Sequence, residues 1–322
     1  MNAQPSAVVD AHHHLWHLAE GRYPWLQDGY DAERFFLGDY AALCRDFGAE
    51  AYKERTGGLP IVATVHVEAE RHRDESLAET RWLHEMHSRH GFPNAVVAHV
   101  DFAAPDADLQ LREHAAHPLV RGIRCKPVTG ARAEESVQGR AGTLQDEKWL
   151  ASLALLPAHG LSWDLRVPCW HLAEAARVAA RFPSLQIVLE HAGLPWDRSD
   201  AGLARWMRGM EALAEQPNVE VKLSEFGLPG AAWDRASNIG VIRDTLAIFG
   251  WGRCMFASNL PVSGLRASTA ELAATMTEAL SHLDERARQA VWCDNALRFY
   301  RIQQQETPSC FPASAHARSM PS

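Results

Sequence analysis

Val8-Val9-Asp10-Ala11-His12-His13-His14-Leu15-Trp16 is the stretch whose reading decides the fold. Two valines open a β-strand, and a period of two places Asp10, His12 and His14 on one face with His13 on the other. Two imidazoles at i and i+2, closing an apolar strand, can grip one divalent ion from the same side. A polar strand end or the remnant of a purification tag would use the same residues. Three histidines make a poor tag, however, and the apolar flanks point to a buried strand.

Working outward, seven further β-branched or apolar runs follow. They span residues 61–67, 95–100, 119–124, 161–167, 185–189, 219–223 and 254–257. Helical periodicity falls between them, near residues 39–47, 74–90, 106–116, 148–159, 171–181, 201–214 and 239–249, with two more helices near 269–283 and 284–300. Residues 127–147 lack periodicity, and a loop that long inside a compact domain is usually functional. Eight strands alternating with helices over roughly 300 residues fit an α/β fold of the (β/α)8 TIM-barrel type, for which about 250 is typical. A doubly wound sheet is the rival, but it would want a GxGxxG phosphate loop after an early strand, and none is present. No break in composition marks a second domain, so a single barrel domain is expected over residues 1–302 and a disordered tail over 303–322.

Composition narrows the class. The chain has 322 residues, 47% hydrophobic and 22% charged, the mixture of a globular protein with a sizeable core. The formal net charge of −8 comes without a basic stripe, which gives no footprint for nucleic acid. No run approaches the about 18 apolar residues of a membrane span, and Met1–Ala7 has no signal-peptide character. Six cysteines without CxxC spacing read as reduced thiols, so a cytoplasmic protein acting on a small molecule is expected, with a homo-oligomer open. Seventeen histidines suit metal or proton-transfer chemistry.

In a TIM barrel the active site lies at the C-terminal ends of the strands, so strand-end residues are the candidates. Strand one offers Asp10, His12 and His14; strand two, His66 and Glu68; strand four, Arg124 and Lys126; strand five, Asp164 and Arg166. Strand six offers Glu190 and His191, strand seven Glu225, and strand eight Ser258 and Asn259. His12, His14 and His191 converging at one mouth would suit zinc or manganese with a position left for water. Arg124 and Arg166 can clamp a carboxylate or an oxyanion, or can simply pair with Asp164. Lys126 and Trp170 join them as substrate contacts, although Lys126 and Glu68 also fit the role of rim charges. Cys125 and Cys169 lack the flanking partners of a nucleophilic thiol, and Ser258 lacks a G-x-S-x-G elbow.

Four motifs in order resemble the amidohydrolase superfamily, in its branch of TIM-barrel hydrolases that holds sugar lactonases and pyrone-dicarboxylate lactonases. Asp10-Ala11-His12-His13-His14-Leu15-Trp16 is similar to the family's D-x-H-x-H with a following aromatic, and Val120-Arg121-Gly122-Ile123-Arg124 to its R-G-I-R. Val188 to Pro195 resembles the sixth-strand histidine motif, and Met255 to Val262 the eighth-strand G-S-D-W-P-V. The resemblance runs from about residue 7 to residue 302. It implies a (β/α)8 barrel, hydrolysis of an ester or lactone, and one divalent metal on His12, His14 and His191, with metal-independent lactonases also known in the branch.

One departure matters. The eighth-strand aspartate, ligand and general base in the family, is Asn259 here. An amide cannot take a proton from water, and its neutral oxygen is a weaker ligand than a carboxylate. The sequence therefore leads to a lactonase in which Asn259 orients water or donates to the oxyanion, Arg124 and Arg166 hold the substrate, and Asp164, His66 or a clustered histidine is the base. A decarboxylase on the same barrel, or a binding protein that lost its aspartate, are the alternatives.

Overall fold

In the computed structural model, which describes residues 5–303, eight parallel strands follow one another round one sheet in chain order. They are β1 (Val8–His13), β2 (Ile61–Val67), β3 (Ala95–Ala98), β4 (Val120–Ile123), β5 (Ser162–Leu165), β6 (Ile187–Leu189), β7 (Val219–Leu223) and β8 (Cys254–Phe256). The ring closes just past β8, where His13 bridges Leu260 in parallel and the His14 N–H donates to the Leu260 carbonyl at 2.8 Å. This is the (β/α)8 barrel that the alternation of strands and helices predicts.

Period two sorts the side chains. Val9, Ala11, Ala63, Val65, Val67, Val97, Val188 and Met255 pack together inside the ring, which brings β1 and β2 against β6 and β8 across the barrel. Val8, Ile61, Ile123, Leu165, Ile187, Val221 and Leu223 belong to the outer core beneath the helices. The helix at Leu172–Arg181 shows why those helices form: Leu172, Ala175, Ala176, Val178 and Ala179 recur on one buried face. The helix at Asp200–Ala214 begins where the Ser199 hydroxyl accepts from the Gly202 amide.

Two expected elements are placed differently. The helix read near residues 39–47 is a single 3-10 turn at Ala41–Leu43, and the helix proper lies further on, at Ala49–Thr56. It ends at the Gly57-Gly58 pair, with Lys53 and Arg55 in its last turn, where cations suit the helix dipole. The helix read over 284–300 is broken into Glu285–Gln289 and Asn295–Phe299 by a π turn at Ala290–Asp294. The tail from residue 304 lies outside the described residues.

Asp164 does not reach the mouth. Its Oδ2 accepts from Lys222 Nζ at 2.6 Å and from the Tyr300 hydroxyl at 2.7 Å, all three groups buried within the barrel. Gly122 leaves the room: a Cβ there would stand 2.4 Å from Ser162 Oγ and 3.2 Å from Asp164 Oδ1. The ion pair closes the barrel beneath the site. Removing one partner strands a buried charge, so Lys222→Met is expected to cost about 3–5 kcal/mol in chemical denaturation, and Lys222→Met with Asp164→Leu markedly less. Equal losses in the single and double variants would contradict this pairing.

Candidate active site

The path of β1 sets the site. Its register with β2 runs Val8 to Ile61, Val9 to Ala63, Asp10 to Thr64 and then His13 to His66, so β1 holds one more residue than β2 between Asp10 and His13. An extra residue reverses the alternation. Asp10 and His13 consequently both meet Tyr52 on the helix outside the barrel, through a 2.7 Å bond from the phenol to Asp10 Oδ2 and a ring-centroid distance of 4.5 Å for His13. His12 and His14 turn to each other and to the interior. The strict alternation expected for Asp10, His12 and His14 is thus corrected for Asp10, which joins the ends of the sheet: Ser258 N and Oγ donate to it at 2.8 and 2.6 Å. Burial nevertheless raises its pKa.

The structure gathers His12, His14 and His191. The Nε2 atoms of His12 and His14 are 3.2 Å apart, and the His12 and His191 ring centroids 4.7 Å. His14 Nδ1–H donates to the Val67 carbonyl at 2.7 Å, which leaves its lone pair on Nε2. His191 Nδ1 lies 2.8 Å from Ser224 Oγ, and His12 Nδ1 is buried without a hydrogen bond, 3.6 Å from Glu190 Oε1. Burial holds all three imidazoles neutral, helped by Lys222 beside His12, Arg124 beside His14 and Arg166 beside His191.

Ligand atoms of His12, Glu190 and His191 lie within 4.8 Å of one another, a spacing that one divalent ion can bridge. His14 is not one of that close group, although its Nε2 lies 3.2 Å from His12 Nε2. Glu190 brings the negative charge that the eighth strand lacks. Sequence reasoning placed it at a strand end but gave it no role, because its closeness to His12 is a product of barrel closure.

Cations dominate the mouth. A cavity of about 400 Å³ is lined by His14, His191, Asn259, Arg124, Lys126 and Arg166 under an aromatic collar of Trp25, Phe35, Phe36 and Trp196. Arg124 Nε donates to Glu68 Oε1 at 2.7 Å, and its Nη1 lies 3.3 Å from Glu190 Oε2. Burial opposes the Arg124 charge, but the two carboxylates more than offset that. Lys126 pairs with Glu70. Arg166 is different: its guanidinium lies 5.4 Å from the Phe36 ring centroid, and among the described residues it makes no hydrogen bond or ion pair. Its expected pairing with Asp164 is not formed.

Asn259 lines the same cavity, and its Nδ2 donates to Glu225 Oε2 at 2.5 Å. Burial raises the Glu225 carboxyl to about 7. The backbone at the mouth is strained: Glu70, His191, Ala192, Leu194, Glu225 and Asn259 all have φ between 48° and 57°, each costing about 1–3 kcal/mol. Such strain persists where surrounding structure fixes side chains for a purpose, and here it falls just past β2, β6, β7 and β8.

The remaining expected site residues sit elsewhere. His66 alternates with the inward Val65 and Val67, so its ring faces His13, and its Nε2 lies 3.3 Å from the Leu15 carbonyl. Trp170 anchors the loop after β4, donating from Nε1 to the Gly130 carbonyl at 3.0 Å; it does not line the cavity, and its ring lies 6.1 Å from that of the lining Trp196. Cys125 and Cys169 are buried, with thiol pKa values raised by burial, Cys125 to about 12. All five described cysteines are free.

The fold and this mouth define a (β/α)8-barrel enzyme with a cluster of imidazoles at the C-terminal ends of its strands. The chain belongs to the amidohydrolase family, whose model matches residues 9–302. It is 31% identical over 296 residues to an uncharacterized protein, y4mH, of Sinorhizobium fredii, covering 92% of this chain and 99% of the relative. It is 29% identical over 306 residues to an L-fucono-1,5-lactonase of Burkholderia multivorans, covering 91% and 96%. Among solved structures, an amidohydrolase of Burkholderia multivorans with bound zinc superposes with a TM-score of 0.74 at 28% identity, over 92% of this chain and 100% of that one.

Asp10 ties the first strand to the last. Asp10→Ala removes the carboxylate that accepts from the buried Ser258 and Tyr52, and a loss of at least about 2 kcal/mol is expected in urea denaturation. A loss below about 0.5 kcal/mol would contradict the tie.

Proposed function

We propose that this amidohydrolase hydrolyses the lactone bond of a small ring that carries a carboxylate. The observation that carries the reading is the unpaired Arg166 guanidinium in the same cavity as His14 and His191, two neutral imidazoles of the cluster. The lactonase relatives support the bond type, and Arg166 supports the charge on the ring. An arginine without an internal carboxylate partner is a ready fork for a planar anion.

His12, His14 and His191, with Glu190, would hold a zinc or manganese ion, which when bound supplies polarisation of the lactone carbonyl and a more acidic water. The chain's own residues do the rest. Arg166 binds the substrate carboxylate and so fixes the ring against the imidazoles. Lys126 and Arg124 are occupied by Glu70, Glu68 and Glu190, so they shape the potential instead of clamping. The collar stacks Trp25 on Phe35 at 5.9 Å and Phe36 on Trp196 at 5.8 Å, which screens the bound ring from bulk water. Asn259 accepts a hydrogen bond from the attacking water. Water oxygen bonds to the carbonyl carbon, the ring C–O bond breaks, one water proton ends on the ring oxygen as a hydroxyl and the other goes with the new carboxyl group, giving a hydroxy acid.

No described helix is long and apolar enough to cross a membrane. The reading includes a cytoplasmic location, supported by the free thiols.

The test is a panel of neutral and carboxylated five- and six-membered lactones followed by acid release, with carbon dioxide measured in parallel. Hydrolysis of a carboxylated lactone is expected, and Arg166→Met should raise KM for that lactone by about 10-fold or more while leaving neutral lactones within about threefold. No turnover with or without added zinc or manganese would overturn the reading. Carbon dioxide release without ring opening would replace it with decarboxylation.

A further inference from the structure

The eighth-strand residue of this site is an amide, and an amide has two ends. Asn259 Nδ2 is committed to Glu225 Oε2 at 2.5 Å. Oδ1 accepts no hydrogen bond within the described residues, while Asn259 itself lines the cavity with His14 and His191. A carboxylate accepts and an amide NH2 donates, so an ionised Glu225 dictates which end of the amide faces the cavity. Glu225 is built for that contact: it is 2% exposed, its φ is held at 48°, and its Oε1 makes no hydrogen bond. A buried carboxylate whose one well-formed side-chain hydrogen bond goes to this amide fixes which way the amide points.

We propose that Glu225 is a positioning residue for the hydrolysis, holding the Asn259 amide so that Oδ1 faces the histidine cluster as the acceptor for the attacking water. The inference rests on the lactonase reading above. Its chemistry is a hydrogen bond, not a proton transfer: Glu225 stays behind Asn259 and does not touch substrate. The arrangement differs in kind from an aspartate on strand eight, because the negative charge is one side chain further from the cavity and is expressed only as the orientation of an amide.

The pairing has a direction with pH. Burial pushes Glu225 up to about 7, against the opposing pull of Asn259, Arg166 at the end of β5, the Gly227 amide and Arg266 beyond β8. Above that pH the carboxylate accepts from Nδ2. Below it the protonated acid can donate instead, which favours the flipped amide with Nδ2 toward the cavity. Activity should therefore fall as pH drops through about 7.

Two readouts test this on the full chain. With 15N-asparagine labelling, the Asn259 side-chain amide signal, assigned by its absence in Asn259→Asp, should shift with a midpoint near the Glu225 pKa and lose that transition in Glu225→Gln. With a lactone that the wild type turns over, Glu225→Leu should lower kcat by about 100-fold with KM changed less than about threefold. Glu225→Gln, whose carbonyl oxygen still accepts from Nδ2, should recover about tenfold of that loss and abolish the acidic limb. An Asn259 signal that does not titrate, or Glu225→Leu with wild-type kcat, would overturn the proposal. If Glu225→Leu fails to fold, Glu225→Gln and the amide titration decide it. If the wild type turns over no lactone, the function reading falls and the amide titration alone decides the geometry.

Discussion

One extra residue in β1 organises this molecule. Between Asp10 and His13 the strand carries a residue that β2 does not match, and the slip sends Asp10 outward and His12 inward. Without it, Asp10 and His12 would share a face, and the carboxylate that now binds Ser258 and Tyr52 would stand among the imidazoles. With it, one strand serves two purposes. Its outer side chains fasten the first strand to the last and to the helix outside, and its inner ones supply two of the three clustered histidines. The strained residues at the ends of β6, β7 and β8 complete the mouth around that pair.

Charge is laid out in depth. Lowest is the Lys222–Asp164 pair capped by Tyr300. Above it Arg124 lies between Glu68 and Glu190, which fixes Glu190 beside His12. At the top Arg166 makes no hydrogen bond or ion pair among the described residues, and feels Glu190, Glu70 and Glu225 only through space. The sequence of layers makes physical sense: charges buried in the barrel are paired, because an isolated one would be costly, and the one left without a partner lies where an incoming anion can reach it. The aromatic collar lowers the local dielectric, so that contact is stronger than at an open surface.

Much of this was legible in the chain, and the failures share a cause. The strands could be read because each is an apolar run bounded by turn residues, and the cluster because His12, His14 and His191 close such runs. The β1 slip left no mark in composition, so Asp10 was placed on the wrong face. His66 and Asp164 were named for their strand ends, yet parity turns His66 outward and Lys222, 58 residues away, holds Asp164 inside. Glu190 was visible as a residue but not as a partner of His12, since that contact joins β6 to β1 across the barrel. Asn259 was noticed for what it is not; what it touches, Glu225 on the neighbouring strand, needed the fold.

The central proposal is that the slip in β1 lets His12 and His14 join His191 and Glu190 in one donor set, and leaves His13 and His66 outside it. Zinc binding by the purified chain tests it most directly, read by equilibrium dialysis and elemental analysis. About one zinc per chain is expected in the wild type, in His13→Ala and in His66→Ala, with loss of at least about tenfold in affinity for His12→Ala and His191→Ala. Zinc retained by His12→Ala, or lost on removing His66, would contradict the account.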